Sequence, residues 1–301
     1  MTWHILGGGS IGCLWAVQLY TSGLPVRLIV RNTEQLTTLS AKQGIDYQTM
    51  DQTHNLYPIE GELASDTSPI HRLIITTKAY ATLAAFESIK QRIAPDAQIL
   101  LLQNGMGQHQ QLKFTYPHLS IWAASTTDGA YLASPFEVIR AGIGETLYGK
   151  MFETAPSSES LFTLPIGDLK IQQVINIEHR LWCKLAINAV INPLTAINDC
   201  KNGELFDNPT LVSLMEDLCG EIETIASNAN QTLFDLPLIE VVEQVARQTA
   251  SNFSSMLQDV RQARQTEIEQ ISGFLCHAAQ SSQTPSPLNN ALLSQIRILS
   301  Q

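Results

Sequence analysis

The feature that most constrains this chain is a glycine-rich segment close to its start. Residues 7–12 read GGGSIG, which fits G-x-G-x-x-G, and they directly follow the short apolar run Trp3–Leu6. A strand that enters a helix through such a loop brings backbone N–H groups close to a bound pyrophosphate, because glycine has no side chain to hold the phosphates away. The motif therefore predicts a dinucleotide site, and a turn that only packs against its neighbours is the alternative. The residues concerned are Gly7, Gly8, Gly9, Ser10, Ile11 and Gly12.

Short apolar runs recur through the first half of the chain and are separated by stretches of helix length. They include Val26–Val30, residues 73–77 and residues 98–102. Fully apolar strands that alternate with helices predict a parallel sheet covered on both faces. Residues 44–68 have no clear period, so only weak strands and loops are expected there, whereas residues 120–149 predict further strands and hairpins.

The pattern changes after about Ile171. Glycines become rare, and apolar residues recur at helical spacing, as at Leu211, Leu214 and Leu218. This spacing predicts an all-helical bundle that begins near Ile177.

Together these patterns predict an α/β chain with two domains, which a length of 301 residues allows. We expect an N-terminal Rossmann-type dinucleotide-binding domain over residues 1–172 and an all-α C-terminal domain over residues 173–301. Two stretches rich in Ser, Thr and Pro, residues 155–160 and 281–287, are predicted as loops.

Composition argues against several classes of partner. The chain has 18 Lys and Arg against 28 Asp and Glu, a net charge of −10, whereas nucleic acids and anionic membranes demand clustered positive charge. No stretch approaches the roughly 18 apolar residues of a membrane span. The first basic side chain is Arg27, and the glycines at 7–9 interrupt the early apolar segment, which argues against a secretory signal. Five cysteines without CxxC pairing predict a reduced, cytoplasmic protein with no metal site.

Arg31 stands directly after the predicted strand Val26–Val30. Enzymes that prefer NAD place a carboxylate near this point to hold the ribose, whereas a cation here accommodates the 2′-phosphate of NADP. No acidic residue occurs between this strand and Glu34, so the sequence favours NADP. The alternative is a solvated surface arginine.

Two further polar residues follow the next predicted strands. Lys78 and Asn104 stand at the carboxyl edge, where ligands bind in open α/β sheets. Asn104 could hydrogen-bond a ribose or a substrate carbonyl without adding charge. The alternatives are a solvent-facing lysine at a helix start and an ordinary Asn-Gly turn.

The most informative stretch, residues 181–197, reads as an apolar helix with one polar stripe. Lys184, Asn188 and Asn192 stand at i, i+4 and i+8, within about 80° of one another around the helix. Such a stripe is typical of a cleft lining, and burial would lower the pKa of Lys184 and suit it to donate a proton. The alternative is an asparagine pair satisfied inside the bundle beside a snorkelling lysine. Pro193 predicts a kink or a helix break at Asn192.

A last polar cluster begins at Asn252 and runs on to Glu267. Ser255 and Glu267 are twelve residues apart, so on a continuous helix they would share a face. Hydroxyl and amide groups can bind a substrate carboxylate, and Glu267 could balance the charge of Lys184. The alternative is a serine N-cap followed by ordinary surface charges.

The chain resembles the ketopantoate reductases, the NADPH-dependent 2-dehydropantoate 2-reductases of pantothenate biosynthesis. The resemblance covers nearly the whole chain and rests on residues 7–12, 103–107, 184–197 and 254–268. It implies a Rossmann domain and a helical domain with the active site in the cleft between them. It also implies transfer of a hydride from NADPH to the C2 ketone of ketopantoate, giving pantoate.

The resemblance further implies roles for individual residues, with Lys184 as the catalytic proton donor. The substrate would be bound by Lys184, Asn104, Asn188, Asn192, Asn202, Asn252, Phe253, Ser254 and Ser255. The cofactor, NADPH, would be held by residues 7–12 together with Arg31, Lys78, Asn104, Ala130 and Glu267. Ala130 is placed by alignment through Thr126 and Thr127.

Other functions remain open on the sequence. A related NADPH-dependent reductase of another 2-keto acid or of an imine would carry the same residues. A non-catalytic NADPH-sensing protein would need the glycines and Arg31 but no proton donor, and the stripe that begins at Lys184 argues against it. A small-molecule substrate is expected, with no nucleic acid and no membrane partner, and the chain is expected to be a monomer or a homodimer.

Overall fold

The computed structural model describes residues 1–153, 160–162 and 165–300. They form two compact units. The first unit comprises Met1–Gln103 and Gln108–Ile177, and the second comprises Asn104–Gly107 and Glu178–Gln301. The loop predicted over residues 155–160 lies outside the described residues except for Ser160.

The first unit consists of strands and helices that alternate along the chain. Its strands are β1 (Trp3–Leu6), β2 (Val26–Val30), β3 (Ile45–Gln48), β4 (His54–Tyr57), β5 (Glu60–Leu63), β6 (Ile70–Ile75), β7 (Ile93–Leu101), β8 (Ser120–Thr126), β9 (Gly129–Ser134), β10 (Glu137–Gly142), β11 (Glu145–Lys150) and β12 (Lys170–Gln173). Its helices are α1 (Ser10–Thr21), α2 (Thr33–Ala41), α3 (Thr82–Ile89) and α4 (Gln108–Thr115).

An eight-stranded sheet in the order β12-β11-β8-β7-β6-β1-β2-β5 is the framework of this unit. The strands from β8 to β5 in this order pair in parallel, and β11 is antiparallel to β8. The predicted strands at 73–77 and 98–102 correspond to β6 and β7, which begin and end earlier than the apolar pattern suggests. The predicted parallel sheet is confirmed. Because β1, β2 and β6 run in parallel, the segments that follow them leave the sheet at one edge.

A smaller sheet, in the order β4-β3-β10-β9, lies on the other side of α1. The helix contacts β1 and β2 of the large sheet and β3, β9 and β10 of the small one. Its residues from Gly12 to Leu19 are all buried, with Leu14 and Trp15 in the same apolar core as Tyr47 and Phe136. A helix that is apolar all round is stable only when it is enclosed in this way. Residues 44–68, predicted as weak strands and loops, supply β3, β4 and β5.

The second unit is helical, as the spacing of apolar residues predicts. Its helices are α5 (Ile177–Asn198), α6 (Pro209–Asn228), α7 (Leu238–Gln248), α8 (Ser255–Arg261), α9 (Ser272–Ser281) and α10 (Pro287–Leu299). Leu218, Ile222 and Ile225 of α6 are fully buried or nearly so. The connection between α9 and α10 falls within the predicted loop at 281–287. Among the helices described, none is both long enough and apolar enough to cross a membrane.

Of the kink or helix break predicted at Asn192, the helix break is wrong. Pro193 does not end α5, which continues to Asn198 with the proline inside it. The residues from Val190 to Ala196 are all buried, so packing on both sides of Pro193 holds the helical path despite the missing N–H group.

The continuous helix predicted from Ser255 to Glu267 is also wrong. Helix α8 ends at Arg261, Ala263 has a φ of +50°, and Glu267 precedes a short 3-10 helix, Ile268–Gln270. The Arg264 N–H closes the turn by donating to the carbonyl oxygen of Asp259 at 2.8 Å. The helix ends here because the buried Asp259 carboxylate also accepts from the Arg264 guanidinium, at 2.7 Å.

Candidate active site

The glycine-rich segment forms a tight turn between β1 and α1. Gly7 has a φ of +121°, and its carbonyl oxygen accepts a hydrogen bond from Thr76 Oγ1 at 2.9 Å. A Cβ added at Gly12 would lie 2.0 Å from that same oxygen. Gly7 and Gly12 are therefore required by the turn itself, since any side chain at either position would strain or displace the backbone.

Gly9 differs from these two glycines because no described residue crowds its position. It is the N-cap of α1 with a φ of −78°, and, apart from its chain neighbours, no atom of the described residues lies within 4 Å of the position that a Cβ would take. No side chain caps the first turn of α1. An open space at an uncapped helix N-terminus fits a pyrophosphate, which needs backbone N–H groups and close approach.

Arg31 and Lys78 lie at the same edge of the large sheet as this turn. Arg31 directly follows β2 and is exposed, and its backbone N–H donates to the side chain of Gln35 at 3.0 Å. Lys78 is half-buried and precedes the 3-10 helix Ala79–Ala81. The backbone beside it is fixed by Gln103, whose side-chain amide donates to the carbonyl oxygen of Thr77 at 2.6 Å. Both cations thus come from segments with a defined backbone.

Ala130 lies in β9, a strand that contacts α1. The turn that precedes it is held by an ion pair between Asp128 and Arg140, with 2.8 Å between Oδ1 and Nη2 and both side chains buried. The Gly144 N–H donates to the same carboxylate oxygen at 3.1 Å. The turn that leads into β9 at Gly129 is therefore well bonded.

Lys184, Asn188 and Asn192 lie on α5 at the predicted spacing. Lys184 and Asn188 are half-buried and Asn192 is buried, whereas Leu185 and Ala189 beside them are almost wholly enclosed. Burial lowers the pKa of Lys184 to about 8, and the negative charge of Glu267 partly opposes that shift. The direction of this shift agrees with the prediction, and Glu267 acts on Lys184 electrostatically, one of the roles that the sequence allowed for it.

Asn104 is carried by a loop, Asn104–Gly107, that belongs to the second unit. Gly105 and Gly107 have φ values of +78° and +104°. The Met106 N–H donates to the carbonyl oxygen of Gln270 at 2.8 Å, and a Cβ on Gly105 would lie 2.6 Å from that oxygen. The loop is thereby held against the segment that follows Glu267.

Asn202 and Asn252 are fifty residues apart and meet through the backbone. The Asn202 N–H donates to the Asn252 carbonyl oxygen at 3.0 Å, and its side-chain amide donates to Thr249 Oγ1 at 2.9 Å. Ser254 is the N-cap of α8 and accepts from the Leu257 N–H at 3.1 Å, so the capping alternative holds for this serine. Asn252, Phe253 and Ser255 beside it are exposed.

Comparison with protein families identifies both parts of the chain. Residues 3–153 match the model described as "Ketopantoate reductase PanE/ApbA", and residues 176–300 match the model of its C-terminal part. The chain belongs to the ketopantoate reductase family. Its members are dinucleotide-binding oxidoreductases, so the chain is an enzyme of that class.

Individual ketopantoate reductases resemble the chain over almost its full length. The 2-dehydropantoate 2-reductase of Vibrio cholerae is 30% identical and covers 99% of this chain, which in turn covers 97% of it. The enzyme of that name from Pyrococcus horikoshii is also 30% identical, with 98% and 96% covered. Relatives from a bacterium and an archaeon thus match the whole chain.

Solved structures show the same fold. A probable 2-dehydropantoate 2-reductase of Bacillus subtilis, 30% identical, superposes with a TM-score of 0.83 over 99% of this chain and 100% of that one. A D-mandelate dehydrogenase with NADH and anilino(oxo)acetate has a TM-score of 0.86 at 22% identity, covering 100% of this chain and 98% of that one, a likeness in fold alone.

Sequence reasoning missed one polar residue of this ketopantoate reductase. Thr195 is fully buried on α5, and its hydroxyl lies 2.7 Å from Ser254 Oγ. The polar stripe could have been followed beyond Asn192, but Pro193 indicated that the helix ended there.

Proposed function

We propose that the chain catalyses the NADPH-dependent reduction of 2-dehydropantoate to pantoate, a step of pantothenate biosynthesis. The observation that carries the proposal is the Lys184 ammonium, which lies on a polar stripe of a largely buried helix. Its pKa of about 8 keeps it mostly protonated at neutral pH yet makes it a better acid than an ordinary lysine.

When bound, NADPH supplies the hydride that reduces the C2 ketone. Lys184 stabilises the negative charge that develops on the ketone oxygen and donates the proton that converts it to the hydroxyl. The neutral amine then takes a proton from water. Asn188, Asn192 and Asn202 hold the substrate through neutral hydrogen bonds, with residues 252–255 completing the substrate-binding set. They thereby add no charge to compete with the ammonium.

The choice of NADPH rests on residues of the first unit. The open space at Gly9 accommodates the pyrophosphate, and Arg31 stands where NAD-preferring enzymes place a carboxylate. Lys78, Ala130, Asn104 and Glu267 complete the proposed cofactor site. Cytoplasmic location and a monomeric or homodimeric state are further parts of the proposal.

The proposal is tested by following oxidation of NADPH with ketopantoate and with a panel of other 2-keto acids and an imine. We expect the highest kcat/KM with ketopantoate. Faster turnover of a bulkier 2-keto acid or of the imine would favour a related reductase. Tight binding of NADPH without turnover of any compound would favour an NADPH sensor.

A further inference from the structure

Helix α5 carries a buried hydroxyl beyond the stripe of Lys184, Asn188 and Asn192. Thr195 is 0% exposed, and its Oγ1 lies 2.8 Å from the carbonyl oxygen of Ile191 and 3.0 Å from that of Asn192. These two acceptors belong to the preceding turn of the same helix. A threonine that only satisfied itself inside a helix would need no other partner.

The third neighbour of this hydroxyl lies on a different element. Ser254 Oγ is 2.7 Å from Thr195 Oγ1, and Ser254 is itself buried. The same serine oxygen accepts from the Leu257 N–H as the N-cap of α8. The Thr195 hydroxyl therefore links the turn of α5 that contains Asn192 to the residue at which α8 begins.

Ser254 lies within the segment of residues 252–255, which we define as the substrate loop. The Asn202 N–H donates to the Asn252 carbonyl oxygen, and Thr195 contacts Ser254, so the loop is held to α5 and to the segment after it. Asn252, Phe253 and Ser255 are exposed, and the Phe253 ring lies against the Arg261 guanidinium, with 4.3 Å between the ring centroid and Cζ.

We infer that Thr195 is a positioning residue for the substrate: through Ser254 it fixes the substrate loop relative to Asn192. The inference rests on the proposed function, which assigns Asn192 and the loop to ketopantoate. Without the hydroxyl the Asn252 anchor remains, so the loop stays attached but loses its fixed distance from α5. Substrate binding should weaken, whereas NADPH binding should not, because the glycine turn and Arg31 are on other elements.

The first experiment compares Thr195→Val with Thr195→Ser. Valine preserves the shape of the side chain and removes the hydroxyl, whereas serine preserves the hydroxyl. We expect Thr195→Val to raise the KM for ketopantoate about tenfold, the effect of one buried hydrogen bond, with a smaller change in kcat and an unchanged Kd for NADPH. Thr195→Ser should stay within about twofold of the wild-type KM.

A double-mutant cycle tests whether the effect passes through Ser254. Ser254→Ala should raise KM as well, and the double variant Thr195→Val with Ser254→Ala should be no worse than the poorer single variant. If the rise in KM of the double variant equals the product of the rises in the two single variants, the two hydroxyls act separately and the inference is overturned. Thermal unfolding of each variant identifies any that is not folded. If Thr195→Val is not folded, the KM of Thr195→Ser is compared with that of the wild-type enzyme.

The remaining outcomes separate the inference from the proposed function. If wild-type enzyme reduces ketopantoate and folded Thr195→Val has an unchanged KM, only the inference fails. A loss of NADPH affinity equal to the rise in KM, with no rescue by Thr195→Ser, would show a merely structural role and would also overturn it. If wild-type enzyme reduces another 2-keto acid instead, the same comparison is made with that acid. Absence of any turnover by wild-type enzyme would overturn both.

Discussion

At the scale of single residues, the proposed acid role of Lys184 predicts how the reaction depends on pH. The protonated form is the acid, and its pKa is lowered from 10.5 to about 8. We therefore expect kcat/KM for ketopantoate reduction to be level below pH 8 and to fall above it, since this quantity reports ionisation of the free enzyme. Lys184→Ala should lower kcat by about 10²- to 10⁴-fold and leave the Kd for NADPH unchanged. Near wild-type kcat in that variant would remove Lys184 from the acid role.

Glu267 gives the same pH profile a second test. Its negative charge raises the pKa of Lys184, so Glu267→Gln should move the fall in kcat/KM to lower pH. Glu269→Gln is the matched control, because Glu269 is exposed and its carboxylate is paired with Arg297 at 2.6 Å. The control should leave the profile in place. If kcat/KM of Glu267→Gln falls at the same pH as in the wild-type enzyme or at a higher pH, Glu267 does not raise the pKa of Lys184.

The proposed role of Arg31 predicts its effect on the preference between the two nicotinamide cofactors. The preference is measured as the ratio of kcat/KM with NADPH to kcat/KM with NADH. Arg31→Ala should lower this ratio about tenfold or more, because the variant loses a charge-assisted contact to the 2′-phosphate. Arg27→Ala is the control, since Arg27 is an exposed cation on β2, the strand that Arg31 follows, and pairs with Glu60 at 2.8 Å. Equal preference ratios in both variants would show that the phosphate is recognised elsewhere.

At the scale of elements, the glycines of the β1–α1 turn separate into two kinds. Gly9→Ala meets no protein atom and keeps an allowed φ of −78°, so it should change the unfolding free energy by less than about 1 kcal/mol. The new methyl group should nevertheless weaken NADPH binding about tenfold or more, because it occupies space beside the phosphate-binding N–H groups. Calorimetric titration with NADPH measures the second effect.

Two other glycine substitutions are the controls for this prediction. Gly12→Ala would place Cβ 2.0 Å from the Gly7 carbonyl oxygen and should destabilise the fold itself by about 1–3 kcal/mol or more. Gly220→Ala, in an open position on α6, should raise the unfolding free energy by about 0.5–1 kcal/mol and leave the Kd for NADPH unchanged. If Gly9→Ala binds NADPH as well as Gly220→Ala does, the proposed phosphate site is wrong.

Local patterns in the sequence predicted the elements that local forces determine. The glycine turn, the apolar parallel strands and the stripe from Lys184 to Asn192 all follow from spacing within one element. The low helix propensity of proline gave a wrong prediction for α5, which does not break at Asn192. The packing of the buried residues around Pro193 outweighs the one hydrogen bond that the proline cannot make. The link of Thr195 to Ser254 and the backbone pair of Asn202 with Asn252 join residues about fifty or more apart, and no periodicity reports such contacts.

At the scale of the whole molecule, the predicted α/β fold is confirmed, and so are the strands predicted over residues 120–149, which include β9 and β10 of the small sheet. The other two strands of that sheet, β3 and β4, had no clear sequence signal. Its strands β3 and β4 have four residues each, and His54, Asn55 and Leu56 of β4 are exposed. Short, partly exposed strands lack the apolar runs that identify β1, β6 and β7. The small sheet packs against α1, and Arg140 of β10 also pairs with Asp128, which lies between β8 of the large sheet and β9 of the small one.

This ion pair makes the stability of the first unit depend on Asp128. Both side chains are buried, so Asp128→Ala leaves the guanidinium without its buried partner and with the largely exposed Asp168 carboxylate beside it, and should lower the unfolding free energy by up to about 3–5 kcal/mol. Asp168→Ala is the control, because Asp168 contacts the same Arg140 at 2.5 Å but is 60% exposed. This variant should lower the unfolding free energy by less than about 1 kcal/mol.

The tryptophans allow this effect to be followed in one unit of the intact chain. Trp3, Trp15 and Trp122 belong to the first unit and Trp182 to the second. In a Trp182→Phe background, fluorescence during urea unfolding reports the first unit alone. We expect the midpoint to fall sharply with Asp128→Ala and hardly at all with Asp168→Ala, at an unchanged m value. Equal shifts would mean that burial of the Asp128–Arg140 pair does not hold the two sheets together, and that the small sheet is retained by its apolar contacts with α1.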